Sequence, residues 1–455
     1  MSTIAAVSTP PGEGGISIIR ISGDEAITIA DKIFRNPCGK RLCDAGANTV
    51  TYGHALTADG AVADEVLVTV FRSPHSYTGE DVAEINCHGG MISTREILCS
   101  AVAAGAQPAA PGEFTKRAFM NGRIDLAQAE SVIDIINSTS TLSHTVAVNQ
   151  LGGALSHEIN NIREKLLSLL AHIQVLIDYP DEDLEPLSED EFDSALADAL
   201  DSVRKLLSTA DSGAIIKGGV ATAIVGKPNV GKSSLLNLLA GHERAIVTDI
   251  AGTTRDAIEE SVNLGNVSLR LADTAGIHDT DDVIENIGVG KSKKYINDSQ
   301  LVLFVADGKS PLDDDDRAII SAIGGKRAVA LINKTEDGCA FKPSELGDNF
   351  EKVIMFSVHA KKGVDELTKT VETMFDIGKI SNGDGGVVTN IRHKDALMRA
   401  EKFLSSAIGA MRSGIPQDMI SVDIQSAISS LGEIVGQTVG EEVVDRIFHN
   451  FCLGK

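Results

Sequence analysis

The stretch Val220-Ala-Thr-Ala-Ile-Val-Gly226-Lys-Pro-Asn229-Val230-Gly231-Lys232-Ser233-Ser234-Leu-Leu-Asn-Leu-Leu239 decides the fold. A short β-branched run enters a glycine-rich loop, and an apolar pattern with helical spacing leaves it. That is the strand–loop–helix context of a phosphate-binding loop. Glycines let the backbone curl until its N–H groups converge on phosphate oxygens, and the helix N-terminus adds the positive end of its dipole. Lys232 is placed to reach the β- and γ-phosphates of a nucleotide, and Ser233 to put its hydroxyl on Mg²⁺. The plain alternative is a turn that happens to carry Lys-Ser.

Four further apolar runs follow, at residues 268–272, 301–306, 328–332 and 352–356. Helical or loop stretches separate them, which predicts βα alternation and a mostly parallel sheet. In such a sheet chemistry gathers at the carboxyl ends of the strands. Asp273-Thr274-Ala275-Gly276 falls there, suited to hold Mg²⁺ through water and to sense a γ-phosphate. Between it and the first loop lies Thr248-Asp249-Ile250-Ala251-Gly252-Thr253-Thr254-Arg-Asp256, the place of a switch segment, with Thr254 the candidate second Mg²⁺ ligand. Asn333-Lys334-Thr335-Glu336 resembles the guanine-reading Asn-Lys-x-Asp of GTPases, with Glu336 where Asp is usual. Ser357-Val358-His359 follows the last strand; His359-Ala-Lys361 is the alternative register for the segment that backs the base. Together these motifs predict a GTPase. Ile277 stands where Ras-like enzymes carry a water-orienting glutamine, and no arginine finger is evident in cis.

The rest of the chain sets limits. At 455 residues it calls for about three domains. Net charge is −23, from 64 acidic against 41 basic side chains, so a lone nucleic-acid binder is disfavoured unless a basic patch or a basic partner supplies the contacts. No apolar run reaches membrane-spanning length, and Met1-Ser-Thr-Ile-Ala lacks the features of a secretion signal. The six cysteines suit a reducing compartment, so a cytoplasmic location is expected. Cys38 and Cys43 have loose zinc-like spacing without a second ligand pair.

Residues 1–118 read as a mixed α/β domain, with strands expected at 3–7, 15–22 and 65–71 and helices at 24–34 and 93–104, capped by Asp24 and Ser93. Helical spacing dominates 119–217 and returns in 380–455, around a GTPase domain at 218–379. The fold class is therefore α/β plus all-α, with the GTPase domain inserted into a helical one. The carboxylate-dense residues 178–193 read as a solvated loop or helix end, a cation site being the lesser alternative.

One family unites these features. The chain resembles the MnmE (TrmE) family of tRNA-modification GTPases over essentially its full length. The residues that carry this are Pro10-Pro-Gly-Glu-Gly-Gly15, Arg20-Ile-Ser-Gly23, Thr78-Gly-Glu-Asp81 with Glu84, His88-Gly-Gly90, Pro111-Gly-Glu-Phe114, Arg117-Ala-Phe119, Asp125-Leu-Ala-Gln-Ala-Glu130, the 248–256 segment, and Phe451-Cys452-Leu-Gly-Lys455. The resemblance implies a tetrahydrofolate-binding N-terminal domain that dimerises, holding a 5-formyl- or methylene-tetrahydrofolate with Arg20, Glu84, Arg123 and Lys455. It implies K⁺ beside the phosphates, held by Asn229, Thr248, Ile250 and Thr253, and Glu285 as the residue that positions the attacking water. It implies a homodimer joined to the FAD-dependent protein MnmG in a heterotetramer, acting on the wobble uridine of certain tRNAs. Arg123 and Glu13 depart from residues usual in the family.

Cys452 is read either as a thiol at the modification site or as a small apolar residue beside Phe451. A GTPase that assembles ribosomes is the alternative function. Its GTPase domain would look much the same, but it needs neither the N-terminal domain nor Cys452.

Overall fold

The computed structural model describes residues 2–178, 188–242, 260–271, 295–380 and 386–455. By internal contacts the chain divides into two units. The first comprises Met1–Ile133, Leu151–Arg163 and Ile428–Lys455; the second comprises Asp134–Gln150 and Glu164–Ala427.

The first unit is built on a seven-stranded sheet in the order β3-β4-β5-β6-β2-β1-β7. Its strands are β1 (Ile4–Val7), β2 (Ser17–Ser22), β3 (Phe34–Arg35), β4 (Thr49–Leu56), β5 (Val62–Phe71), β6 (Val82–Cys87) and β7 (Gln107–Pro108). All pairs are antiparallel except β1 with β7. Alternation decides which face is buried. Val66, Val68 and Val70 of β5 pack with Ile19, Ile21, Ala83 and Ile85 against Ile27, Ile29 and Ile97 of the helices Ala26–Lys32 and Met91–Ala103. The intervening positions Val50, Tyr52 and Leu67 are exposed.

The expected strands are present, but β4, β6 and the two-residue β3 and β7 were not foreseen, and Phe34, expected to end a helix, lies in β3. Neither expected cap holds. Glu25 precedes the first helix without a side-chain capping bond, and Gly90 precedes the second, which begins at Met91 and contains Ser93. The His88-Gly-Gly90 turn starts that helix early, and Thr94 closes the first turn by donating from Oγ1 to the Gly90 carbonyl at 2.7 Å.

The second unit carries a six-stranded sheet in the order β13-β12-β11-β8-β10-β9. Here β8 is Val220–Val225, β9 Glu260–Leu264, β10 Val267–Leu271, β11 Leu301–Asp307, β12 Ala328–Asn333 and β13 Lys352–Met355. The four runs predicted from sequence, together with β8, pair in parallel. The unforeseen β9 is antiparallel to β10. Strands β11 and β12 are buried along nearly their whole length, as the middle of a sheet covered on both faces requires.

The helices Glu189–Leu207 and Ile391–Arg412, on either side of the β8–β13 stretch in sequence, are joined by Arg204–Glu401 at 2.8 Å and Arg412–Asp193 at 3.1 Å. Ser188 and Glu191 form a capping box at the start of the first of these helices, which accounts for the end of the acidic stretch. Among the described residues no helix is long and apolar enough to cross a membrane.

Candidate functional site

In the second unit, β8 delivers the chain to a loop in which Gly226, Asn229 and Gly231 have φ of 151°, 61° and 105°. A side chain at Gly226 would run into the Val305 carbonyl, and one at Gly231 into the Asn333 amide. Only glycine gives the backbone this curl at this depth. The helix Lys232–His242 then starts, with Ser233 and Ser234 exposed at its N-terminus. Lys232 folds back over the loop, Nζ donating to the carbonyls of Gly226 at 3.0 Å and Lys227 at 2.6 Å. Those are contacts a phosphate group can replace with stronger ones.

The Asn333-Lys334-Thr335-Glu336 segment grips the same loop. Asn333 Nδ2 donates to the Val230 carbonyl at 2.9 Å, and Lys334 Nζ to the Asn229 carbonyl at 2.9 Å and to Asp307 at 2.6 Å. Lys334 adopts φ 61° to do so. Asn333 Oδ1 accepts from the Val358 N–H at 3.3 Å. Thr335 Oγ1 donates to the Phe356 carbonyl at 3.3 Å. Ser357 donates its hydroxyl to Glu336 Oε1, and that hydrogen bond is the main reason the Glu336 carboxyl sits below its ordinary range, with Lys309 and His359 adding positive charge. The Glu336 backbone N–H adds a second hydrogen bond to the carboxylate, which is exposed and able to accept further N–H groups. Of the two registers, it is Ser357 and Val358 that reach Glu336 and Asn333.

The cradle suits a nucleoside triphosphate, and the exposed Ser233 hydroxyl is a hard-oxygen donor of the kind Mg²⁺ takes. Thr248 to Thr254, Asp273 to Gly276 and Glu285 lie outside the described residues. Strand β10 ends at Leu271, two residues before Asp273.

The first unit holds a separate constellation. In the β2–β6 pair Arg20 lies opposite Glu84. Its Nε donates to Glu84 Oε1 at 2.8 Å and its NH1 to the Gly454 carbonyl at 3.2 Å. The guanidinium lies 5.2 Å from the Tyr77 ring centre and 5.6 Å from that of Phe114. Ser8 Oγ also donates to the Gly454 carbonyl, at 3.1 Å, so the C-terminal tail is fixed against the start of the chain. A side chain on Gly454 would strike the Val7 carbonyl. Burial first, and Arg20 second, push the Lys455 ammonium below the usual lysine range, while Glu84 and Cys452 oppose them.

Cys452 is half-buried, and its carbonyl accepts from the Gly112 and Lys455 N–H groups at 3.3 and 3.4 Å. Arg123 is exposed beside Gly79, outside the Arg20–Glu84–Gly454 network. Arg20 is bonded to the Glu84 carboxylate and lies against the Tyr77 and Phe114 rings, and Lys455 feels the charge of both Arg20 and Glu84. A carboxylate and two cations are groups that can pair with the N–H donors and the acidic tail of a folate.

A family model described as the MnmE helical domain matches residues 126–452, and one described as the GTP-binding protein TrmE N-terminus matches residues 3–123. The chain belongs to the MnmE family of tRNA modification GTPases. It is accordingly a GTP hydrolase. The tRNA modification GTPase MnmE of Clostridioides difficile (strain 630) is 45% identical over 455 residues, covering 100% of this chain and 99% of that protein. MnmE of Geobacillus kaustophilus (strain HTA426) is 46% identical over 460 residues, with 100% and 99% covered.

Some members of this MnmE-family site were not legible beforehand. Asp307 steadies Lys334 from the end of β11, where position at a strand's carboxyl end was the available signal. Lys227 pairs with Asp313 at 2.7 Å and Asp316 at 2.8 Å. Phe114 ends the Pro111-Gly-Glu-Phe114 motif and Tyr77 precedes Thr78, but neither carried a signal for a role beside Arg20.

Proposed function

We propose that this chain is a K⁺-dependent GTPase, activated when the GTPase domains of two copies meet. Together with the FAD-dependent protein MnmG it places a carboxymethylaminomethyl-type group on C5 of the wobble uridine of certain tRNAs in the cytoplasm. The carbon unit comes from a tetrahydrofolate derivative. The observation that carries this reading is the presence, on one chain, of a GTP cradle and a second, chemically different site at Arg20, Glu84 and Lys455. A GTPase that only assembles ribosomes has no use for the second.

In this reading residues 1–118 bind folate and dimerise, 218–379 form the GTPase domain, and 119–217 with 380–455 form the helical domain. Lys232 neutralises phosphate charge, and Glu336 accepts the two N–H groups of guanine. Ser233 and Thr254 would hold Mg²⁺, while Asn229, Thr248, Ile250 and Thr253 would hold K⁺. Bound there, the two cations supply the positive charge that an arginine finger gives elsewhere. Glu285 orients the attacking water. Arg123 approaches the folate from the exposed side.

The uncovered face of the N-terminal sheet supports the homodimer. Val50 is 60% exposed, Tyr52 49% and Leu67 46%, side by side on β4 and β5. Mass spectrometry of tRNA nucleosides from a deletion strain tests the whole reading. Wobble uridines that lose the C5 group support it. Unchanged uridines, with this protein co-sedimenting on ribosomes, would replace it with the assembly role.

A further inference from the structure

The Arg20 guanidinium owes its place to more than Glu84. Two aromatic faces bracket it, and they come from different elements. Tyr77 lies in the loop between β5 and β6, and Phe114 on the helix Glu113–Met120. One charged residue bonds to both of those elements. Arg117 sits one turn after Phe114 and is 5% exposed. Its NH1 donates to both Glu80 oxygens at 3.2 Å, and its NH2 to Glu113 Oε1 at 2.8 Å. Glu80 lies three residues after Tyr77. Its Oε2 also accepts from Ser22 Oγ at 2.7 Å, and Ser22 is two residues beyond Arg20 on β2.

The loop has other attachments to this helix and strand. Tyr77 and Thr115 share a hydroxyl hydrogen bond of 2.8 Å, as do Ser22 and Thr78 at 2.7 Å, and Asn121 Nδ2 donates to the Thr78 carbonyl at 2.8 Å. These are neutral bonds. The Arg117 bonds are charge-assisted, and the fork of its guanidinium reaches loop and helix at once.

We propose that Arg117 is a positioning residue for the folate site, acting through the Tyr77 and Phe114 faces that hold Arg20. The proposal rests on the folate reading above. Arg117 does not touch the ligand. With the fork removed, only the neutral bonds hold the loop carrying Tyr77 to the helix carrying Phe114, the bracket around Arg20 loosens, and the cation loses its fixed direction toward the bound acid.

The test is the affinity of the full-length protein for 5-formyl-tetrahydrofolate, by calorimetry, together with the thermal midpoint and GTP turnover. Arg117→Met is expected to weaken binding about ten-fold, with GTP turnover unchanged and Arg117→Lys recovering part of the loss. Tyr77→Leu is expected to weaken binding by itself, and Arg117→Met added to it to cost less than about two-fold more, because the face it steadies is gone. A general loss of structure would give the same further loss in both backgrounds. Should Arg117→Met not fold, Glu80→Gln keeps the volume and removes the charged partner, and the same cycle with Tyr77→Leu applies.

Wild-type binding with Arg117→Met and Glu80→Gln within two-fold of it overturns the proposal alone. Full additivity with Tyr77→Leu also overturns it. No binding by the wild type overturns the folate reading and this proposal with it.

Discussion

The two sites of this chain are made in opposite ways. The nucleotide site is mainly backbone. Its shape comes from a contiguous loop whose glycines and Asn229 take left-handed or near-left-handed conformations, and its main side-chain anchors, Asn333 and Lys334, grip carbonyls of that loop. The N-terminal site is mainly side chain. Arg20, Tyr77, Glu84, Phe114 and Lys455 come from distant parts of the sequence, and the antiparallel register of β2 with β6 is what sets Arg20 against Glu84. A backbone cradle tolerates change in its side chains better than a site that exists only as side chains. The two should therefore break separately.

The largest separation is expected at the tail. Under the functional reading of Cys452, Cys452→Ser nearly preserves volume, keeps the backbone bond from Gly112, and leaves GTP turnover at the wild-type level. Wobble-uridine modification in cells carrying it as the only copy should be lost. Normal modification would return Cys452 to the role of a core residue beside Phe451. Glu285→Ala should do the reverse of sparing turnover: kcat falls about a hundred-fold or more while GTP affinity changes little, because water positioning acts in the transition state. Turnover at the wild-type rate would remove Glu285 from the mechanism.

The same contrast explains what could be read in advance. The P-loop, Asn333-Lys334 and the parallel strands were legible because each is a local pattern, and because β11 and β12 are continuous apolar runs. The N-terminal site was reached only through a resemblance. Nothing local in Arg20-Ile-Ser-Gly23 says that its guanidinium will lie between Tyr77 and Phe114, or that the Gly454 carbonyl will meet it. Strands β4 and β6 were missed because Gly53 and His54 in one, and Glu84 and Asn86 in the other, interrupt the apolar signal. Asp24 and Ser93 failed as caps because neighbouring turns, not intrinsic preference, fix where those helices begin. Arg123 was expected by motif position and lies exposed, outside the Arg20–Glu84 network.

Smaller effects sharpen the backbone half of the comparison. Glu336→Ala should weaken GTP about ten- to a hundred-fold, since both guanine N–H groups lose their acceptor. Unaltered affinity would mean that the base is read elsewhere. Exchanging K⁺ for Na⁺ should slow turnover by tens-fold, the scale of one transition-state charge contact, with affinity nearly constant. Equal rates in the two salts would discard the K⁺ site.

The smallest expected effect concerns Ser357, and its sign can be worked out. The Ser357 hydroxyl is the main cause of the lowered Glu336 pKa. In the proposed reading guanine is bound by the ionised carboxylate, so GTP affinity is expected to be full above that pKa and lost as pH falls through it. In the wild type the loss lies below the ordinary carboxylate range. Ser357→Ala removes the hydroxyl, lets the pKa rise toward its ordinary value, and moves the loss upward in pH. The same hydroxyl accepts from the Ala360 N–H at 3.1 Å, so the substitution also loosens the loop, which costs affinity at every pH. The two effects separate by titration. At pH 8 Glu336 is ionised in both proteins, and a reduction of about two- to five-fold there is the positioning part. A further reduction as pH falls toward about 4, larger than in the wild type and in Ser357→Thr, is the electrostatic part. A constant ratio between about pH 4 and 8 would show that Ser357 only shapes the loop and leaves the charge of Glu336 alone.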